Sequence, residues 1–150
     1  RYLDNDLSRM ENRRIGFPWS PEHVNRALSS VGGTIAATHA VCDTSAAAAA
    51  PRFSGHIAGG THHAYAAHGE GYCVFNDISV AAAVALRDYG DDIRSILIVD
   101  LDVHQGNGSA SIWAGDERVT TYSQHCAGNI FSQREVSDVD VEMSVGAGDD

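Results

Sequence analysis

The stretch from Arg94 to Gly108, Arg-Ser-Ile-Leu-Ile-Val-Asp-Leu-Asp-Val-His-Gln-Gly-Asn-Gly, constrains the fold more than any other part of the chain. Aliphatic residues run without interruption from Ile96 to Val99 and then give way to acids, a histidine and glycines. A continuous apolar run closed by turn residues reads as a buried strand of a parallel sheet. Its end carries Asp100, Asp102 and His104. Side chains alternate along a strand, so the shared parity of these positions predicts all three on one face. Acids and an imidazole at the end of a buried strand are costly unless they are paired or bind a cation. The carboxyl ends of strands are also where open α/β sheets take their ligands.

Helical segments alternate with further strand candidates around this stretch. Ser20-Pro21-Glu22 is a helix start, with serine as N-cap, proline at the first helical position and an acid in the first turn. The helix runs to about Val41. Its Gly32-Gly33 pair weakens it, at about 1 kcal/mol per glycine relative to alanine, or marks the close approach of a neighbour. The alanine-rich stretch Thr44 to Ala50, stopped by Pro51, reads as a helix tail or a loop. Phe53 to Ala58 reads as a short strand entering the turn Gly59-Gly60-Thr61-His62-His63-Ala64. Asn76 or Asp77 caps a helix that ends near Tyr89, with Gly90 after the cap. Beyond the central stretch come a short helix from Ser109 to Trp113, a strand from Val119 to Ser123, a loop from His125 to Val136 and a last strand from Val139 to Met143. Residues 1–19 are polar and read as irregular. The alternation predicts an α/β fold with a largely parallel sheet flanked by helices, in a single domain over residues 1–150. The chain opens on Arg1 and closes on Gly-Asp-Asp, so a partial domain truncated at the C-terminus is expected.

A formal net charge of −10 argues against broad nucleic-acid binding, which needs clustered lysine and arginine. It suits a cationic substrate, although a merely solvated acidic surface is the simpler explanation. The three cysteines, Cys42, Cys73 and Cys126, form no CxxC pair. They predict a reducing, intracellular setting rather than a disulfide framework. No apolar run reaches the length of a membrane span.

The chemistry-bearing residues fall at the predicted strand ends. Asp-x-His at Asp102 and His104 suits a divalent metal, because carboxylate and imidazole both ligate zinc. Taken alone the motif is weak, and acids satisfied by backbone amides explain it as well. The adjacent His62 and His63 suit proton handling near neutral pH. Each needs an orienting partner for its other nitrogen. Asp100 could serve one and Asn107 the other. His23, His39 and His56 read as structural, and His68 and His125 fall in loops with no partner at ligand spacing. Cys73 reads as a buried apolar residue.

Three blocks together resemble the zinc-dependent histone deacetylase family, within the wider arginase/deacetylase fold. They are Gly59-Gly60-Thr61-His62-His63-Ala64, Gly71-Tyr72-Cys73-Val74-Phe75-Asn76-Asp77 and Val99-Asp100-Leu101-Asp102-Val103-His104-Gln105-Gly106-Asn107-Gly108. Gln105 and Asn107, where several deacetylase classes have His and Asp, resemble the class IV branch. The resemblance implies Asp102 and His104 as ligands of a catalytic zinc. It implies His62 and His63 as the general base and acid pair, oriented by Asp100 and Asn107. Gly71 and Tyr72 would line the channel for an acyl-lysine side chain, with Phe131 on the opposite wall. The main-chain carbonyls of Asp100, Asp102 and His104, with the Ser123 hydroxyl, match a structural site for K+ or Na+. The third zinc ligand and a carbonyl-polarising tyrosine belong to stretches past residue 150, and Asp149 and Asp150 match a different loop.

The expected function is therefore zinc-dependent hydrolysis of acyl-lysine amides, with an acyl-lysine protein or peptide as partner and neither nucleic acid nor membrane. A non-catalytic acyl-lysine-binding module of the same fold and an acetylpolyamine-type amidohydrolase are the alternatives. A binuclear manganese hydrolase of the arginase type needs an acid where this chain has Gly106.

Overall fold

A computed structural model describes residues 1–43, 52–130 and 132–148. The elements in chain order are α1 (Arg9–Ile15), α2 (Pro21–Cys42), α3 (Asp77–Asp88), β1 (Ile96–Asp100), α4 (Asn107–Trp113), β2 (Val119–Cys126) and β3 (Val139–Met143). The strands form one sheet in the order β1-β2-β3, and both pairings are parallel. Ile96 stands opposite Val119, Asp100 opposite Ser123 and Ser123 opposite Asp140. The parallel α/β expectation therefore holds.

Each helix starts where its capping residue stands. Ser20 Oγ accepts the His23 N–H at 3.1 Å, and α2 then runs unbroken through Gly32-Gly33. At Gly33 a Cβ would lie 2.1 Å from His56 Nε2, so this glycine marks a close approach rather than a weak point. Asn76 Oδ1 accepts the Ser79 N–H at 2.9 Å and starts α3, which lies along α2. The apolar face of α3 (Ala82, with Ile78 and Leu86) packs onto Ile98, Trp113 and Val119 from β1, α4 and β2. A second cluster gathers Tyr2, Ile15, Val24 and Val74 under Phe17 and Trp19.

That second cluster corrects the reading of residues 1–19 as irregular. Ser8 and Glu11 form a reciprocal capping box: Ser8 Oγ accepts the Glu11 N–H, and the Glu11 carboxylate accepts the Ser8 N–H. The short helix α1 that follows buries Ile15.

Other expectations shift as well. Residues 53–58 form no strand; they find no ladder partner, and Phe53 and Ile57 are fully exposed. The helix after Gly106 begins at Asn107 rather than Ser109. The strand from Val119 continues to Cys126, so His125 is a buried strand residue and not a loop residue. Among the described residues only one face of β1 is covered: Ile98 and Asp100 are buried, whereas Leu97 and Val99 are more than half exposed. The stretch from Thr44 to Pro51, Phe131, Asp149 and Asp150 lie outside the described residues. Among the described residues no helix is long and apolar enough to cross a membrane.

Candidate active site

The paired histidines sit in a turn gripped from two helix N-termini. Asn76 Nδ2, at the start of α3, donates to the carbonyls of His62 at 3.3 Å and Ala64 at 3.1 Å. The Ser109 N–H in α4 donates to the same His62 carbonyl at 3.1 Å. A Cβ at Gly108 would stand 2.3 Å from the Ala64 carbonyl oxygen, so only glycine lets α4 approach this closely. Just before the histidines, Thr61 is anchored to the buried Asp77, which accepts from Thr61 N at 2.8 Å, Thr61 Oγ1 at 2.6 Å and Thr34 Oγ1 at 2.6 Å. Burial alone would raise the Asp77 carboxyl, but these donors outweigh it and hold its pKa below the ordinary value.

Both imidazoles are buried, with ring centroids 3.9 Å apart. His62 Nδ1 lies 2.5 Å from Asp100 Oδ2. A carboxylate only accepts, so Nδ1 carries the proton. His63 Nδ1 lies 2.7 Å from Asn107 Oδ1. The Asn107 amide has one consistent orientation: its Nδ2 donates to the Gln133 carbonyl at 3.0 Å, and its Oδ1 accepts the Gly108 N–H at 3.0 Å. His63 must therefore also donate from Nδ1, and on both rings acid–base exchange falls to Nε2. Burial, followed by the neighbouring His62, pushes the His63 pKa down to about 4.

Asp102 and His104 lie at the exposed rim beside this pair. Strand β1 stops at Asp100, so strand parity is not what gathers them. Local hydrogen bonds do this instead. Asp100 Oδ1 accepts the Asp102 N–H at 3.0 Å, and Asp102 Oδ1 accepts the His104 N–H at 2.8 Å. Asp102 Oδ1 is 3.8 Å from His62 Nε2 and 3.2 Å from His104 Nδ1. Burial works to raise the Asp102 carboxyl, but the His104 N–H and the nearby imidazoles lower its pKa.

Gly71 and Tyr72 are fixed by the end of α1. Their N–H groups donate to the carbonyls of Arg14 at 3.2 Å and Ile15 at 2.7 Å. The Tyr72 ring, two-thirds exposed, meets the Phe17 ring at 5.0 Å between centroids. Gly71 and Tyr72 line a cavity of about 860 Å³ with Tyr65, Glu70, Gln133 and Glu135. His63, His104 and Asn107 border a smaller recess that shares Ser132 and Gln133 with it. Ser123 is buried in β2 opposite Asp100, and its hydroxyl accepts the Gly106 N–H at 3.4 Å. Phe131, expected on the channel wall, is outside the described residues.

Against known proteins, a profile of the histone deacetylase domain matches residues 4–143. The chain belongs to the histone deacetylase family. An uncharacterized protein of Picosynechococcus is 42% identical over 149 residues, which is 99% of this chain and 47% of that protein. The acetoin utilization protein AcuC of Staphylococcus aureus is 38% identical over 76 residues, covering 51% of this chain and 19% of that protein. Histone deacetylase 18 of Arabidopsis thaliana is 43% identical over 65 residues, covering 43% of this chain and 10% of that protein. The crystal structure of the HDA15 HD domain shares the fold at a TM-score of 0.60 and 23% identity, covering 87% of this chain and 36% of that one. The deacetylase-family chain thus spans about half the length of its Picosynechococcus relative.

The other histidines of this deacetylase-family chain have structural surroundings. His23 Nδ1 is 2.8 Å from the Tyr2 hydroxyl and His39 Nδ1 is 2.8 Å from that of Tyr89, while His68 stacks on Tyr65. The buried Cys73 thiol is pushed up to about 11 by burial, which leaves it protonated and unreactive. Among the described residues no group of three or more His, Cys, Asp or Glu side chains is gathered closely enough to hold a metal. Asp102 and His104 supply one carboxylate and one imidazole, a donor pair that fits zinc but leaves a three-ligand site one donor short.

Two residues in the site carried no sequence signal, Tyr65 and Glu135. Tyr65 adjoins a recognised motif, but Glu135 lies in what reads as plain loop. Gln105, singled out within its motif only for the resemblance, turns out to be buried and to clamp residue 135: its Nε2 donates to the Glu135 carbonyl at 2.7 Å, and its Oε1 accepts the Glu135 N–H at 3.0 Å.

Proposed function

We propose that the protein containing this chain hydrolyses acyl-lysine amides with the help of a zinc ion. The observation that carries this reading is the buried imidazole pair, each ring tied through Nδ1, which assigns proton transfer to Nε2. Asp102 and His104 would hold the metal together with a donor from elsewhere in the protein. When bound, zinc supplies Lewis-acid chemistry, acidifying water and polarising the amide carbonyl. The residues of this chain handle the protons. Asn107 gives His63 a neutral partner, so His63 Nε2 accepts the proton as water adds to the carbonyl carbon. Asp100 gives His62 an anionic partner, which suits that ring to carry a proton toward the amine as the C–N bond breaks. Gly71, Tyr72 and Phe131 would border the acyl-lysine side chain. Asp100 and Ser123 would take part in a K+ or Na+ site that stiffens the strand end.

The test is zinc removal from the full-length protein with a chelator, followed by add-back, with an acetyl-lysine peptide as substrate. Activity should vanish and return with zinc. In Asp102→Ala, zinc affinity measured by titration should fall at least about tenfold. Activity that survives complete zinc removal would sink the reading.

A further inference from the structure

The chain of hydrogen bonds behind His63 does not stop at Asn107. Asn107 Nδ2 donates to the Tyr65 hydroxyl oxygen at 3.1 Å as well as to the Gln133 carbonyl. The Tyr65 hydroxyl in turn donates to Glu135 Oε1 at 3.2 Å. Every direction in this series is forced. A carboxylate only accepts, so the tyrosine proton points at Glu135 and its lone pair faces Asn107. Asn107 then presents its amide to Tyr65 and its carbonyl oxygen to His63. His63 is left with its proton on Nδ1 and its lone pair on Nε2. The Tyr65 hydroxyl is pushed up to about 12, by burial first and then by Glu135 and Glu70, so it keeps its proton throughout the physiological range.

The anchoring of the far end is equally specific. Gln105 accepts from and donates to the two sides of Glu135's backbone, and its Nε2 also donates to Asp140 Oδ1 at 2.8 Å. The Gln105-Gly106-Asn107 turn therefore holds both ends of the series. Asn107 grips His63, and two residues earlier Gln105 fixes the backbone that carries the terminal carboxylate. Hydrogen bonds in series polarise one another, and this series runs inward from the half-buried Glu135 and Tyr65 to the buried Asn107 and His63. A charge at the end of such a series reaches a ring that has no anion of its own at position 107.

We propose that Tyr65 and Glu135 are positioning residues for His63, forming with Asn107 a relay that reinforces the tautomer set by the Gln133 carbonyl and the Gly108 N–H and brings a remote carboxylate to bear on the ring. This rests on the reading of His63 as an acid–base group. It extends that reading to two residues outside the recognised motifs.

The experiment uses the full-length protein and the variants Tyr65→Phe, Glu135→Gln and the double. Two readouts are taken. The first needs no activity: in protein labelled with 15N-histidine, the His63 Nδ1–H resonance is assigned by its loss in His63→Ala. It should be present and slowly exchanging in the wild type. It should shift and exchange faster in both single variants. The second is kinetic, with an acetyl-lysine peptide. Each single variant should lower kcat about tenfold with KM unchanged, and the double should lose no more than the worse single. A His63 Nδ1–H resonance indifferent to both substitutions overturns the relay, as do additive losses or an effect confined to KM. If the wild type hydrolyses no acyl-lysine, the functional reading fails while the resonance still decides the relay.

Discussion

At the scale of single residues, glycines and amides organise the site as much as the groups that react. A Cβ at Gly106 would lie 2.2 Å from Asp100 Oδ2. Gly106→Ala should therefore push Asp100 away from His62 and lower kcat about a hundredfold, with the fold intact by circular dichroism. The sequence made Gly106 notable only as a position that cannot ligate a metal; its structural demand depends on how closely the turn folds back on Asp100. His62, His63, Asp100, Asn107, Asp102 and His104 were all legible, because each stands in a short motif. Glu135 was not, since no local pattern links it to a histidine 72 residues earlier; the link runs through Tyr65 and the Gln105 clamp. Asp77 gives a prediction in pH. Its carboxyl titrates below its unfolded value, so its stabilising contribution is complete above the unfolded pKa, about 4, and is lost as pH falls through the lower folded value. Asp77→Asn should lower Tm at pH 7 and should flatten the decline of Tm between pH 5 and pH 3. An unchanged Tm at pH 7 would mean that the Thr34 and Thr61 bonds to Asp77 contribute nothing.

At the scale of elements, the helices were readable where caps and periodicity agreed. The Ser20 and Asn76 caps marked α2 and α3 to within a residue or two. The first helix was hidden although its capping box is written in the sequence. Seven residues with a single buried side chain, Ile15, leave too little periodicity to notice. Residues 53–58 misled in the opposite way: strand-like composition forms no strand without a ladder partner. The role of α1 is to present the Arg14 and Ile15 carbonyls to Gly71 and Tyr72, so damage to it should reach the cavity wall. Ser8→Ala should cost about 1 kcal/mol of stability and raise KM for a peptide substrate more than it lowers kcat. In the core under the sheet, Ile98 of β1 is buried in one cluster with Ala82 of α3, Trp113 of α4 and Val119 of β2. In the 150-residue chain, Ile98→Ala should cost about 2–5 kcal/mol in urea unfolding, against almost nothing for Leu97→Ala on the exposed face.

At the scale of the whole molecule, one face of β1 stands open among the described residues. Leu97, Val99, Leu101 and Val103 are each at least half exposed, in alternate positions along and beyond β1. Strand β1 also pairs on one edge only among the described residues. An apolar stripe beside an unpaired strand edge invites association. The 150-residue chain expressed alone should self-associate in light scattering, despite its net charge of −10. Leu97→Lys with Val99→Lys should reduce this, and in the full-length protein the amides of β1 should be strongly protected from hydrogen exchange. Rapid exchange there would show that the stripe stays uncovered in the longer protein. The parallel sheet was legible from the alternation of elements, whereas the open face was not. An apolar run records that a strand is to be buried, not which segment buries it.

The proposed proton-transfer group, His63, is held in one tautomer beside Asp102 and His104, the proposed metal ligands. The most direct test of that role is kcat/KM of the full-length protein for an acetyl-lysine peptide, compared with that of His63→Ala. A loss of about 10²–10⁴-fold is expected, with zinc affinity retained. A His63→Ala protein that releases acetate at the wild-type rate would contradict it.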